Sequence, residues 1–211
     1  MYDVRYELGS EPGIGTLNAK LTVDGEHVYI ASETDRKIYV FNRNATSFKL
    51  SDAKKFVEYG PVRDIFSNGE YLVIANQNEN KVDIYKTLDL TLYGTVKSES
   101  MGGEIRIANP ASSIILPDGK LVIANTGNNV VYIYDSIDAA ISNYKDYKVS
   151  IGNNDAYRVD NYNGGPVPVK EITGIATERT LFSPTTLSYK DGHLWVGEFK
   201  FSSRMFRYDL K

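Results

Sequence analysis

The residues best suited to chemistry stand one step past a small residue that recurs four times. Ser32, Asn76, Asn125 and Glu198 follow Ala31, Ala75, Ala124 and Gly197. Asn76, Asn125 and Glu198 carry oxygen ligands of the kind Ca²⁺ prefers, provided three or more converge within about 2.3–2.6 Å of one point. The same side chains can instead close turns by bonding nearby backbone. A second set lies upstream of the small residue: Asn18, Arg63 and Asp64, Ser112 and Ser113, Thr185 and Thr186. On strands that line an axis these would make a polar, water-filled channel, or beside Arg63 a site for a small anion. His27 and His193 each stand just after an Asp-Gly pair. That repeated place at a turn exit reads as exposed and structural, not as a general base or metal ligand. No Ser/His/Asp order, phosphate loop or zinc spacing is present. The absence of cysteine excludes thiol catalysis and disulfides.

What positions these residues is a repeated phrase. Upstream of the four small residues lie Asp24-Gly25, Asn68-Gly69, Asp118-Gly119 and Asp191-Gly192. Such pairs suit a type I′ hairpin turn, whose two central residues need φ > 0. Between turn and small residue run Val28-Tyr29-Ile30, Leu72-Val73-Ile74, Leu121-Val122-Ile123 and Leu194-Trp195-Val196. The following strand ends on Phe41, Tyr85, Tyr134 and Tyr208. An unbroken apolar strand must be buried on both faces. The next strand alternates more, as in Lys81-Val82-Asp83-Ile84-Tyr85, and is expected to turn one side toward solvent. Small antiparallel sheets buried on both faces arise when sheets stack around an axis, as in a β-propeller.

The small residues are 44, 49 and 73 positions apart, bracketing a blade period of roughly 40–50. The expected architecture is therefore all-β: one domain over 1–211, a small propeller of four-stranded antiparallel sheets with four clear blades. Outer strands are expected at 54–59, 92–96 and 147–151. The fourth unit ends without one, and Val4-Arg5-Tyr6-Glu7-Leu8 is expected to supply it and close the ring against 203–210. The long last step holds an inserted hairpin at about 152–180, or a degenerate fifth blade. This insert carries Tyr157, Asp160, Asn161, Tyr162 and Asn163 ahead of Gly164-Gly165-Pro166. Its stacking faces and amides suit a sugar or a polar protein loop, and loops on a rigid scaffold commonly carry function.

Composition bounds the partners. The 211 residues include 24 Lys and Arg against 27 Asp and Glu, a net charge of −3, with both signs interspersed. That gives no electrostatic case for nucleic acid or an anionic membrane. No stretch reaches the roughly 20 apolar residues of a membrane-spanning helix. The first residues lack the charged and apolar regions of a signal peptide. A cytosolic chain is expected if Met1 is the natural start, and an exported or cell-surface bacterial one if the start is trimmed. Asn44-Ala45-Thr46 fits a glycosylation acceptor but carries no weight in a bacterial chain.

From Asn109-Pro110 through Pro117-Asp118-Gly119 to Asn125-Thr126-Gly127-Asn128-Asn129, the chain resembles the NHL-type propeller repeat. That pattern is a proline, an apolar strand, Asp-Gly, an apolar strand and a Gly-Asn turn. Pro61 and Pro184 take the proline's place in the second and fourth units, and Leu17 replaces it in the first. The chain also looks like YVTN (YncE-like) propellers. The resemblance covers about 17–135 and 183–211 and implies the fold. For function it implies a range, from interaction scaffolds and surface proteins to calcium-dependent lactonases and lyases with about six blades. The expected function is a non-enzymatic binding module that presents loops to a protein or glycan. The alternatives are a calcium-dependent lactonase- or lyase-like enzyme, or part of a longer propeller. No cofactor is expected from any motif; Ca²⁺ is the one ion the oxygen donors would suit.

Overall fold

The computed structural model describes residues 19–32, 36–45, 53–59, 62–97, 107–143, 181, 183–199 and 205–210. They form fourteen strands in four antiparallel sheets. The first sheet is β1 (Ala19–Val23), β2 (His27–Ser32), β3 (Lys37–Asn42) and β4 (Lys54–Glu58). The second is β5 (Asp64–Ser67), β6 (Tyr71–Asn76), β7 (Lys81–Lys86) and β8 (Leu92–Lys97). The third is β9 (Pro110–Ile115), β10 (Leu121–Asn125) and β11 (Val130–Tyr134). The fourth is β12 (Pro184–Lys190), β13 (His193–Glu198) and β14 (Met205–Asp209). One short helix, α1 (Ile137–Asn143), follows β11 and packs on β8.

Each sheet is a meander in chain order, and the recurrent phrase is its middle strand. β2, β6 and β10 are buried almost throughout, and β13 nearly so. That burial on both faces has one cause: the sheets stack. Tyr29, Ile38 and Val40 of the first sheet meet Ile65, Leu72 and Ile74 of the second. Val73, Val82 and Ile84 of the second meet Leu121, Ile123 and Tyr132 of the third. Val122, Val131 and Ile133 of the third meet Leu194, Val196 and Tyr208 of the fourth. The innermost strands follow suit, β1 on β5, β5 on β9 and β9 on β12. This is a propeller-like arrangement of four sheets. Among the described residues, no packing of β12 against β1 on that scale closes a ring.

The small residue of each phrase sits where an inner strand crosses close by. Ala31, Ala75, Ala124 and Gly197 pair with Lys20, Asp64, Ser112 and Thr186. A Cβ on Gly197 would collide with Thr186 Oγ1, so the one β-branched partner faces the one glycine.

Two expectations change. Only Asp191-Gly192 has positive φ at both residues, 52° and 83°, as a type I′ turn requires. The first three loops are longer. There the Asx side chain caps the turn: Asp24 Oδ1 accepts the Glu26 and His27 amides, and Asn68 Oδ1 those of Glu70 and Tyr71. The extra residues leave room for an Asx turn in place of a left-handed pair. The second change concerns the strand after the phrase. β3, β7 and β11 are buried on both sides, including Asp83 at 2% exposure. Alternation marks a wet side only where that side faces water; here it faces the next sheet. Outer strands appear as β4 and β8, whereas the expected 147–151, the closing segment 4–8 and the insert 152–180 lie outside the described residues.

Candidate functional site

A cleft of about 760 Å³ lies between the first two sheets, on the side of their Asx-Gly loops. One wall is Asp24, Gly25, Glu26 and His27; the other is Gly69, Glu70 and Tyr71 with Lys86, Thr87, Leu88 and Leu90. Its volume falls in the range of about 300–1,000 Å³ usual for ligand sites.

The walls are fixed by hydrogen bonds between the two loops. Ser67 donates its hydroxyl to Asp24 Oδ2 at 2.7 Å and accepts the Gly69 amide. The Ser67 amide reaches Thr22 Oγ1 at 3.2 Å. Thr87 ties the second loop from below by donating to the carbonyls of Gly69 and Glu70. The Asp24 side chain is only 4% exposed. Burial alone would raise its pKa, but the Ser67 hydroxyl and the two turn amides outweigh it and hold the carboxyl below its ordinary value. The Tyr29 hydroxyl lies beside Asp24 and Ser67, out of hydrogen-bond geometry with either, and burial pushes its pKa up. His27 Nδ1 stands 3.8 Å from Asp24 Oδ1 with its side chain one-third exposed. Ser67 thus bonds the carboxylate and not the imidazole, so His27 does not activate its hydroxyl as a nucleophile.

His193 has the corresponding place in the fourth sheet and bonds Asp209 through Nδ1, with Arg207 Nε 3.5 Å from the same carboxylate. Both histidines are therefore half-buried and carboxylate-paired, not simply exposed.

The first set of sequence candidates lies at equivalent strand ends, all buried. Asn76 Oδ1 accepts the Glu79 amide at 3.0 Å, and Asn125 Oδ1 accepts the Ala108 amide at 2.7 Å. Asn76 thus caps its own turn, and Asn125 ties the segment ahead of β9 to the end of β10. Glu198, 6% exposed, ends β13 opposite Pro184. Among the described residues, no group of three or more His, Cys, Asp or Glu is placed to hold a metal. In the second set, Arg63 precedes β5 and gives its amide to the Ala75 carbonyl. Asp64 is half-buried on β5, facing Ser112 and the Ser113 backbone on β9 and Lys20 on β1. Burial raises its pKa, against those three lowering contacts. Asp64 therefore links three inner strands. Tyr157, Asp160, Asn161, Tyr162 and Asn163 lie outside the described residues.

Sequence reasoning missed the polar cluster centred on Asp83. Its carboxylate accepts the hydroxyls of Tyr59 and Thr95 and pairs with Lys81 Nζ at 3.1 Å. Lys81 also lies 5.4 Å from the centre of the Tyr59 ring. Asn76 Nδ2 sits next to Tyr59 without reaching hydrogen-bond geometry. Burial, then the Asp83 charge, drives the Tyr59 pKa up. Burial would lower Lys81, but Glu79 and Asp83 reverse it. The signal was in the repeat: Asp83 pairs with Ile74 where Tyr39 pairs with Ile30 and Tyr132 with Ile123. An acid replaces an aromatic in one unit alone.

No protein family matches the chain, and no curated protein does. Solved structures match by fold. A Bacteroides thetaiotaomicron protein of unknown function gives a TM-score of 0.57 at 16% identity over 90% of this chain and 46% of that one. Kuenenia stuttgartiensis hydrazine synthase gives 0.55 at 11% identity, over 92% and 47%. The computationally designed Ika4 protein gives 0.53 at 9% identity over 96% of both chains. The chain spans about half the length of the first two. At these identities the likeness is one of fold alone.

Proposed function

We propose that this chain is a non-enzymatic binding module, a propeller-like scaffold of the NHL or YVTN kind that presents its loops to a protein or glycan partner. The observation that carries this reading is the cleft between the first two sheets, whose walls are pinned loop to loop while its charged rim stays open. Rigid walls reduce the entropy lost when a partner docks. At the His27–Asp24 pair on its wall, the Ser67 hydroxyl bonds the carboxylate and not the imidazole. The Tyr- and Asn-rich insert around Tyr157–Asn163 is a second presented surface, proposed on composition alone.

The test is amide chemical-shift mapping on the full chain with peptide and chito-oligosaccharide probes. Shifts clustered on 24–27, 69–71 and 86–90, without turnover, are expected. A rise in melting midpoint on adding Ca²⁺, lost in Glu198→Ala, would overturn the reading in favour of a calcium-dependent enzyme.

A further inference from the structure

We propose that the cleft between the first two sheets takes an extended peptide bearing a lysine or arginine next to an apolar residue. The inference rests on the binding-module reading and names the occupant of that cleft.

Charge supplies the first argument. Three carboxylates line the cleft, those of Asp24, Glu26 and Glu70, against Lys86 and His27. Asp24 is spent on Ser67 and its own turn. Glu26 and Glu70 are exposed, on opposite walls, and make no ion pair among the described residues; the Glu70 carboxylate lies beside the Tyr71 hydroxyl. Lys86 forms no ion pair with either among the described residues; its ammonium lies 5.4 Å from the centre of the Tyr93 ring. Arg43 donates to the Asp24 carbonyl at 3.0 Å and is not among the lining residues. Two exposed carboxylates on opposite walls of one cleft favour a cationic occupant.

The second argument is the rim. Leu88 is 92% exposed at the cleft mouth, and Leu90 behind it is half-buried against the core. A lone exposed leucine is ordinary. Leu88 at the edge of a cavity offers an apolar contact next to the acidic pair. A sugar is less well served, because it wants an open aromatic face. Tyr71 is the one phenol in the lining and stands edge-on to Tyr93 at 5.2 Å, while His27 packs on Tyr29 at 5.8 Å. The rim fits a side chain that carries a cation on an aliphatic stem.

The experiment titrates the full chain with a capped Arg-Leu-Arg peptide, a Glu-Leu-Glu analogue and a chito-oligosaccharide, read by amide shifts. The basic peptide should move 24–27, 69–71 and 86–90, and bind more weakly as salt rises. Glu26→Gln and Glu70→Gln should each weaken it by about two- to five-fold, and Leu88→Ser should weaken it further at constant salt dependence. All three positions are on the surface, so the fold should survive. Equal binding of the acidic analogue, or unchanged affinity in the Glu26→Gln/Glu70→Gln double variant, would overturn the inference. Binding of the oligosaccharide alone in the cleft would overturn it and leave the binding-module reading standing. If no probe moves the cleft, both fall.

Discussion

The seam between the first and second sheets and the seam between the second and third are built on the same repeat but held differently. At the second-third seam the position opposite Ile123 is Tyr132, packed among Val73, Val82 and Ile84. At the first-second seam the equivalent position is Asp83, and the phenol comes instead from Tyr59, just after β4 of the neighbouring sheet. One seam is joined by apolar contact. The other adds a buried carboxylate with two hydroxyl donors and an ammonium. The lesson is that a repeat fixes where a side chain points, while its neighbour decides what can stand there.

Three measurements would break or sharpen this contrast. Asp83→Ala should cost about 3–5 kcal/mol, because it strands the buried hydroxyl of Tyr59 and the half-buried one of Thr95 and weakens the hold on Lys81. Ile123→Ala, at the apolar seam, should cost about 2–5 kcal/mol from lost contact and the cavity left behind. Denaturant melts would separate them: the isosteric Asp83→Asn should remain costly, whereas Ile123→Val should be mild. If Asp83→Asn proves neutral, the polar seam contributes nothing beyond shape.

Next in size is Tyr59→Phe, expected to destabilise by about 1–3 kcal/mol because a lone pair of Asp83 loses its donor. In Asp83→Phe, which restores an aromatic at this position, the same Tyr59→Phe change should cost much less. A double-mutant cycle measures that coupling. Additive costs would show that the two side chains do not act as a unit.

The smallest effect concerns two carboxylates with opposite shifts. Asp24 has a lowered folded pKa, so its contribution is present above the unfolded value of about 3.9 and is lost as pH falls through the folded value. Asp64 has a raised folded pKa, so its relative contribution is favourable at low pH and is lost as pH rises through that value. Stability against pH should therefore fall less steeply on the acid side in Asp24→Asn. In Asp64→Asn, stability near neutral pH should be kept or gained. Parallel curves for both variants would refute the opposite signs.

Much of the scaffold was legible in the chain. The uninterrupted apolar triplets, as in Leu121-Val122-Ile123, announced strands buried on both faces, and the small residue after each set the register of the repeat. The candidate site was less legible. Asn76 and Asn125 stood out by spacing, yet the Asn76 oxygen caps the turn that follows it and the Asn125 oxygen holds the Ala108 amide, 17 residues earlier. The cleft was not foreseen, since Asp24 and Ser67 lie 43 residues apart and neither departs from ordinary turn composition. Asp83 was visible as a break in the repeat, but its alternating strand read as half-solvated.

The sequence alone determined the units, their strand order and the doubly buried middle strand, because these follow from local periodicity and turn chemistry. Only the tertiary structure decided that Tyr59 meets Asp83, that Ser67 meets Asp24, and that a charged cleft opens between the two loops. Those pairings join side chains from neighbouring sheets, and the stacking of whole sheets sets their distance, which no local pattern records.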